Sequence, residues 1–267
     1  KIIMNFNFTE EQLQFKNTVK SFLVDECSTN SIRDGWTAKE PFNHDRWNKI
    51  ADLGVLSSNL PEKEGGFEID QVALSLMIEE MGYAALPEPA AEQIFLINDL
   101  IPLLPDSIKR EIKNTYQTGS NFISVAHPLS PNPLFLNDAA GLLLFNEDSY
   151  QFALTEDIDF IPLVSNDPSR ELSKINSIHK SVSSSKEFEK INTAVAARGA
   201  LMTGCLLIGL AQKMLDLSSL YALDRTQFGK PIGSFQAIKH MLADVAVKIE
   251  FARPTIFRAA HSLLENN

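Results

Sequence analysis

The chain has 267 residues, with 24 Lys plus Arg against 34 Asp plus Glu, a formal net charge of −10, 44% hydrophobic and 22% charged residues, and a mean hydropathy of −0.07. This composition excludes disorder throughout and a fibrous repeat, and the length sets one to two domains at about 150 residues each. The negative charge, without any concentrated basic stripe, excludes a nucleic-acid backbone as partner, and Cys27 and Cys205, far apart and outside any CxxC, exclude a disulfide framework or zinc site.

The opening KIIMNF has one lysine and no apolar signal core, so no secretory or transit peptide is expected. Thr9-Glu10-Glu11-Gln12 is a capping-box pattern, and Phe15, Val19, Phe22 and Leu23 follow at helical spacing. Ser28 to Pro41 reads as a loop. A short helix carrying Trp47, Ile50 and Ala51 ends at Gly54, and Leu60 to Gly66 reads as a turn. From Asp70 to Ala85, Leu74, Met77, Ile78 and Met81 form one helical stripe, with Glu79 and Glu80 expected to face away from it. Ala90 to Leu104 and Asp106 to Gln117 read as two further helices separated by Pro105.

Beyond Gly119 the texture changes to short apolar runs at Phe122 to Ala126, Leu142 to Phe145, Tyr150 to Leu154 and Phe160 to Val164, the pattern of a small β segment. Lys180 to Lys186 is serine-rich and reads as a linker. Phe188 to Leu223 and Ser234 to Leu264 are long helical patterns, with stripes at Leu206, Leu210, Leu217 and Tyr221 and at Ile238, Leu242, Val245 and Ile249; Pro254 predicts a kink. The apolar run Gly199 to Ala211 is shorter than the roughly 20 residues of a membrane span and reads as a buried helix. No membrane span is expected, and the free thiols point to a cytoplasmic location. The fold class is therefore mainly α with a small β domain: a helical domain over 1–117, a short β domain over 118–180, and a C-terminal helical domain over 181–267.

Three stretches, in this order, resemble the acyl-CoA dehydrogenase family. They are Phe8-Thr9-Glu10-Glu11-Gln12; Trp47 through Leu60-Pro61-Glu62-Lys63-Glu64-Gly65-Gly66, followed by Glu79-Glu80-Met81-Gly82; and the more specific run Tyr221-Ala222-Leu223-Asp224-Arg225-Thr226-Gln227-Phe228-Gly229-Lys230-Pro231-Ile232-Gly233-Ser234-Phe235-Gln236 with Leu242-Ala243-Asp244. The resemblance implies FAD, an acyl-CoA substrate, an electron-transfer flavoprotein as electron acceptor, and α,β-desaturation, in which a carboxylate takes the α proton and the β hydrogen leaves as hydride. It further implies that Arg225 reaches the FAD pyrophosphate of a neighbouring subunit, that Phe228 packs beside the cofactor, and that Gln236 meets its adenine end. Taken alone, the same residues read as solvated charge, core aromatic and solvated helix residue.

The chain also departs from the family. Where the family carries Thr-Glu-Pro and Gly-Ser-Asp around the flavin ring, this chain reads Ser124-Val125-Ala126-His127-Pro128-Leu129-Ser130-Pro131. The β segment is short, as in one subunit type of heteromeric members. The family's glutamate base lies either beyond the position of Asn267 or at the position of Gly199, so no catalytic base is expected within the chain, and the C-terminal helical domain reads as truncated. Glu187 and Glu189 read as solvated charges at a helix start, and His127 as a loop residue; His44, His179, His240 and His261 show no metal spacing. The expectation is a subunit of a FAD-dependent acyl-CoA dehydrogenase sharing its FAD with a homologous partner that supplies the base, with steroid or other bulky CoA thioesters as the substrate class. The alternatives are a self-sufficient homo-oligomer with further helices, and a scaffold that has lost FAD.

Overall fold

The computed structural model describes residues 7–38, 40–115 and 121–265. The KIIMNF reading, the end of the helix predicted to reach Gln117 and the boundary between 117 and 118 lie outside the described residues. In chain order the elements are α1 (Glu10–Glu26), α2 (Thr29–Thr37), α3 (His44–Asp52), α4 (Gln71–Ala84), α5 (Ala90–Glu92), a π turn (Gln93–Ile97), α6 (Asn98–Leu100), α7 (Asp106–Thr115), β1 (Ile123–Ala126), β2 (Gly141–Phe145), β3 (Tyr150–Leu154), β4 (Ile158–Leu163), β5 (Leu172–Ile178), β6 (Val182–Ser184), α8 (Phe188–Asp224), β7 (Thr226–Gln227), β8 (Lys230–Pro231) and α9 (Gln236–Glu265). The protein is mainly helical with a small sheet region, as the sequence implies. Two compact units divide it: Lys1–Cys27, Asp70–Leu86 and Thr203–Asn267 form one, and Ser28–Ile69 with Pro87–Met202 the other.

In the first unit, the capping box closes as predicted: Gln12 N donates to Thr9 Oγ1 at 3.1 Å and Thr9 N to Gln12 Oε1 at 3.0 Å. Gln12 Nε2 also donates to Asp70 Oδ2 at 2.9 Å, and Asp70 in turn caps α4 by accepting from Val72 N and Ala73 N. The two helix starts are thereby tied together. Glu79 and Glu80, read as facing away from the apolar stripe, are covered and paired. Glu80 is buried and accepts from Lys16 at 3.3 Å, while Glu79 accepts from Arg253 Nε of α9 at 3.0 Å. Both faces of α4 are covered, one by α1 and one by α9, so its carboxylates are paired with cations rather than hydrated. Against α8 the helix backbones touch: a Cβ on Gly82 would lie 2.2 Å from Leu206 O, and one on Gly209 would lie 2.0 Å from Glu79 O. Only glycine permits that crossing. The helix α9 runs unbroken through Pro254.

In the second unit, Phe42, Trp47, Phe122 and Phe135 form a buried aromatic cluster, with centroids 5.3 Å apart for Phe42–Phe122 and Phe42–Phe135 and 5.4 Å for Trp47–Phe122. Beside it Arg46 and Glu88 make a buried two-pronged pair, Nε to Oε2 and Nη2 to Oε1, both 2.7 Å. The four-stranded sheet runs β1-β2-β3-β6, with β1 parallel to β2 and the other pairs antiparallel; β4 and β5 form a separate antiparallel ribbon. Two readings are corrected here. The predicted loop from Ser28 holds α2, capped by Ser28, whose side chain accepts from Ser31 N; it buries no residue, so no apolar stripe marks it in the sequence. The predicted linker holds β6, and β5 precedes it: pairing through backbone groups needs no apolar alternation, and Val182-Ser183-Ser184 has none.

The helix α8 has the length and apolarity to cross a membrane, with a mean hydropathy of 1.7 in its most apolar window. Ile191, Val195, Leu201, Met202 and Cys205 of this helix are buried within the protein. Leu207 within the predicted buried run is instead 59% exposed.

Candidate functional site

The end of α8 and the start of α9 are joined by a two-residue hairpin. Arg225 N continues the helix to Tyr221 O at 2.8 Å, and Ile232 N returns to Arg225 O at 2.8 Å, so the hairpin closes on the arginine's own backbone. β7 and β8 pair through Thr226–Pro231 and Gln227–Lys230, leaving Phe228 and Gly229 as the turn, at φ +53° and +76°. Positive φ at both central residues matches the twist of a hairpin; glycine adopts it freely, whereas a phenylalanine there is strained. The following turn packs against α8: a Cβ on Gly233 would lie 2.9 Å from Ala222 O.

All three residues of the sequence reading therefore lie on one short connection. Arg225, Phe228 and Gln236 are exposed. The Arg225 guanidinium has no ion-pair or hydrogen-bond acceptor among the described residues. Phe228 is 92% exposed at the tip, in edge contact with Phe235 at 6.2 Å, over whose ring Lys230 Nζ sits at 4.5 Å. Gln236 Oε1 meets His240 Nε2 at 3.2 Å. An uncommitted guanidinium beside an uncovered aromatic fits a ligand that brings its own phosphate and flat ring, as FAD does.

The connection stands at the end of a larger uncovered surface. Leu217, Leu220 and Tyr221 on α8 are 53%, 63% and 60% exposed, and Met241 and Phe251 on α9 are 66% and 79% exposed. The helical stripe of α8 is, over Leu217 and Tyr221, an outward face.

In the second unit, Ser124 and His127 of the Ser124–Pro131 stretch are committed internally. Ser124 Oγ donates to Leu134 O at 2.7 Å; His127 Nδ1 accepts from Leu129 N at 3.1 Å, which leaves Nε2 to donate to Asn192 Oδ1 at 2.9 Å. His127 is a loop anchor, as the sequence reading has it. Glu187, just before α8 at φ +52°, pairs with Lys190 at 3.7 Å, and Glu189 is exposed. At Gly199 a Cβ would have Leu96 Cδ2 at 4.0 Å as its nearest contact, so the position is bare.

One polar group escaped the sequence reading. Arg198, inside Ala194-Val195-Ala196-Ala197-Arg198-Gly199-Ala200, is 7% exposed and donates Nε to Asp99 Oδ2 at 3.2 Å. Its signal is local: Ala194 and Val195 before it and Leu201 and Met202 after it put a cation on an apolar stripe with no opposite charge at helical spacing.

This helical frame with a small sheet region and a hairpin between two long helices is that of the acyl-CoA dehydrogenase fold. The acyl-CoA dehydrogenase N-terminal domain matches residues 9–98 and the C-terminal domain residues 189–267; the chain belongs to the acyl-CoA dehydrogenase family, oxidoreductases whose cofactor is FAD. The chain is similar to acyl-CoA dehydrogenase IpdE2 of Mycobacterium tuberculosis, 26% identical over 262 residues covering 97% of this chain and 78% of that protein. Among solved structures, the ChsE4-ChsE5 complex from Mycobacterium tuberculosis superposes with a TM-score of 0.82 at 18% identity, covering 98% of this chain and 80% of that one. A Tcur3481-Tcur3483 steroid acyl-CoA dehydrogenase variant gives 0.82 at 17% identity, covering 97% and 79%.

Proposed function

We propose that the chain is one subunit of a heteromeric FAD-dependent acyl-CoA dehydrogenase, contributing Arg225, Phe228 and Gln236 to FAD held mainly by a homologous partner that supplies the glutamate base. The observation that carries this reading is the hairpin. A phenylalanine held at positive φ and fully in water is unfavourable twice over, costing about 1–3 kcal/mol in backbone strain alone, and both penalties are offset when another subunit's cofactor packs on it. The exposed apolar residues of α8 and α9 support the same conclusion, because a stripe of that width needs a facing surface.

FAD supplies the hydride acceptor when bound. Arg225 offers two parallel N–H donors to its pyrophosphate, Phe228 covers an aromatic edge and excludes water, and Gln236 offers an amide to the adenine end. With Ser124 and His127 bonded within their own unit, the flavin ring is assigned to the partner. The position of Gly199 bears no carboxylate, so proton abstraction from the α carbon is likewise the partner's. Electrons then pass to an electron-transfer flavoprotein. Bulky CoA thioesters, steroid ones among them, are the substrate class, in keeping with a structural neighbour described as a steroid enzyme. The domain division at 117 and 180 and a cytoplasmic location belong to the same proposal.

The test is the flavin absorbance at about 450 nm, with native mass, of the chain purified alone and after co-expression with a family member encoded beside it. Flavin appearing only in a mixed oligomer is the expected result. A yellow homo-oligomer means a self-sufficient enzyme, and a colourless chain in both states means a scaffold; either overturns the proposal.

A further inference from the structure

A connected set of polar side chains joins α4, α8 and α9 within the first unit. Arg253 of α9 donates Nε to Glu79 Oε1 at 3.0 Å, Nη1 to Glu250 Oε1, and Nη2 to Gln212 Oε1 at 3.2 Å. Gln212 Nε2 donates to Asp216 Oδ1 at 2.9 Å, and the hydroxyl of Tyr83, in the last turn of α4, donates to Asp216 Oδ2 at 2.9 Å. The Asp216 carboxylate is thus held by two neutral donors, with no cation in salt-bridge range among the described residues. Burial, and then Asp216 itself, pushes the Tyr83 hydroxyl above its ordinary pKa, so it keeps its proton and stays a donor. Lys213 Nζ lies 4.7 Å from the centroid of the Tyr83 ring and holds the ring as well.

The Tyr83–Asp216 bond marks the place where α8 leaves α4. At Gly209 the two backbones still touch, for a Cβ there would lie 2.5 Å from Tyr83 N. α4 then ends at Ala84, while α8 continues to Asp224. From Leu217 to Arg225 no side chain hydrogen-bonds or ion-pairs with another element among the described residues, and of these residues only Ala222 is buried, beside Gly233. The tyrosine is therefore the last side-chain tie between α4 and α8 before the hairpin. A helix end held in this way is a lever: at 1.5 Å per residue Arg225 lies about 13 Å beyond Asp216, so a tilt of about 5° at the tie moves it by about 1 Å. A displacement of about 1 Å is enough to spoil a two-pronged contact.

We propose that Tyr83 is a positioning residue for the Arg225 hairpin, acting through its hydrogen bond to Asp216. The consequence for flavin rests on the shared-cofactor reading above; the clamp itself does not. Hydrogen exchange of the purified chain tests the clamp without any cofactor. Tyr83→Phe, which keeps the ring and removes only the donor, should speed exchange of the Arg225 and Ile232 amides by about threefold to tenfold and leave those of α1 unchanged. In the co-expressed complex the same variant should lower flavin affinity by about threefold to tenfold. Combined with Arg225→Ala it should lose no more flavin than Arg225→Ala alone, because a residue that acts through the arginine then has nothing to act on. Asp216→Ala removes the acceptor from the other helix and should give the same pattern, so either variant decides the matter where the other fails to fold. Faster hairpin exchange, with flavin affinity untouched by Tyr83→Phe and by Arg225→Ala alike, upholds the clamp and refutes the shared-cofactor reading. Unchanged hairpin exchange, a rise shared equally by α1, flavin losses that add, or a loss with Arg225→Ala that Tyr83→Phe does not echo overturns the proposal.

Discussion

Replacing Arg225 by alanine separates a cofactor role from a structural one. Its side chain is exposed and has no acceptor among the described residues, while its backbone groups, which alanine retains, close the hairpin through Tyr221 O and Ile232 N. Folding stability should therefore change by less than about 0.5 kcal/mol. Loss of a charged hydrogen-bond donor to a phosphate costs about 1.5–3 kcal/mol, so flavin affinity should fall by about tenfold to hundredfold. Arg225→Lys should fall between, because a point charge replaces a planar fork. The assay is the flavin-to-protein ratio of the co-expressed complex after dialysis, read beside its Tm. Full retention of flavin by Arg225→Ala would refute the assignment, and loss of flavin accompanied by a collapse in Tm would show that Arg225 holds the hairpin rather than the cofactor.

Gly209→Ala should destabilise by about 1–3 kcal/mol or more in urea unfolding, because its Cβ would lie 2.0 Å from Glu79 O and 2.5 Å from Tyr83 N, both backbone atoms; Gly199→Ala, with its nearest contact at 4.0 Å, should instead stabilise by up to about 1 kcal/mol. Burial pushes the Cys205 thiol up to about 12, against a lowering hydrogen bond from Ser75, so a thiol reagent at neutral pH should modify Cys205 only as the chain unfolds. Burial, together with Glu40, raises the Asp138 carboxyl above its ordinary range despite His44 at 3.3 Å. The folded state thus binds this proton more tightly than the unfolded one, a contribution fully present below about pH 4 and lost as pH rises through the raised value. Asp138→Asn should accordingly stabilise at neutral pH, with the gain shrinking as the medium is acidified; a gain independent of pH would refute the cause given.

What was legible in the sequence was whatever short-range chemistry dictates. Thr9 and Gln12 form their box three residues apart, and Asp70 caps α4 from the adjoining residue, so both helix starts can be read locally. α2 and β6 could not be read this way: the first buries no residue, and the second pairs a serine-rich segment without apolar alternation with β3. Arg198 shows the same limit at a site, since its partner Asp99 lies 99 residues away and is itself bonded by Asn59 from another segment.

The helical stripes carry a different lesson. Periodicity reports an apolar face, not what covers it: the stripe holding Leu217 and Tyr221 was legible, and the chain leaves both residues largely exposed. Phe228 carries the same lesson, since taken alone it reads as a core aromatic. The structure removes the core reading, since Phe228 sits at φ +53° on a hairpin tip with 92% of its surface uncovered, and this supports the proposal that a second subunit's cofactor covers it. On this reasoning Phe228→Gly should stabilise the isolated chain by relieving the backbone, and should weaken flavin retention in the complex. A loss of stability would place Phe228 in the service of folding, and undiminished flavin retention would refute its contact with the shared cofactor.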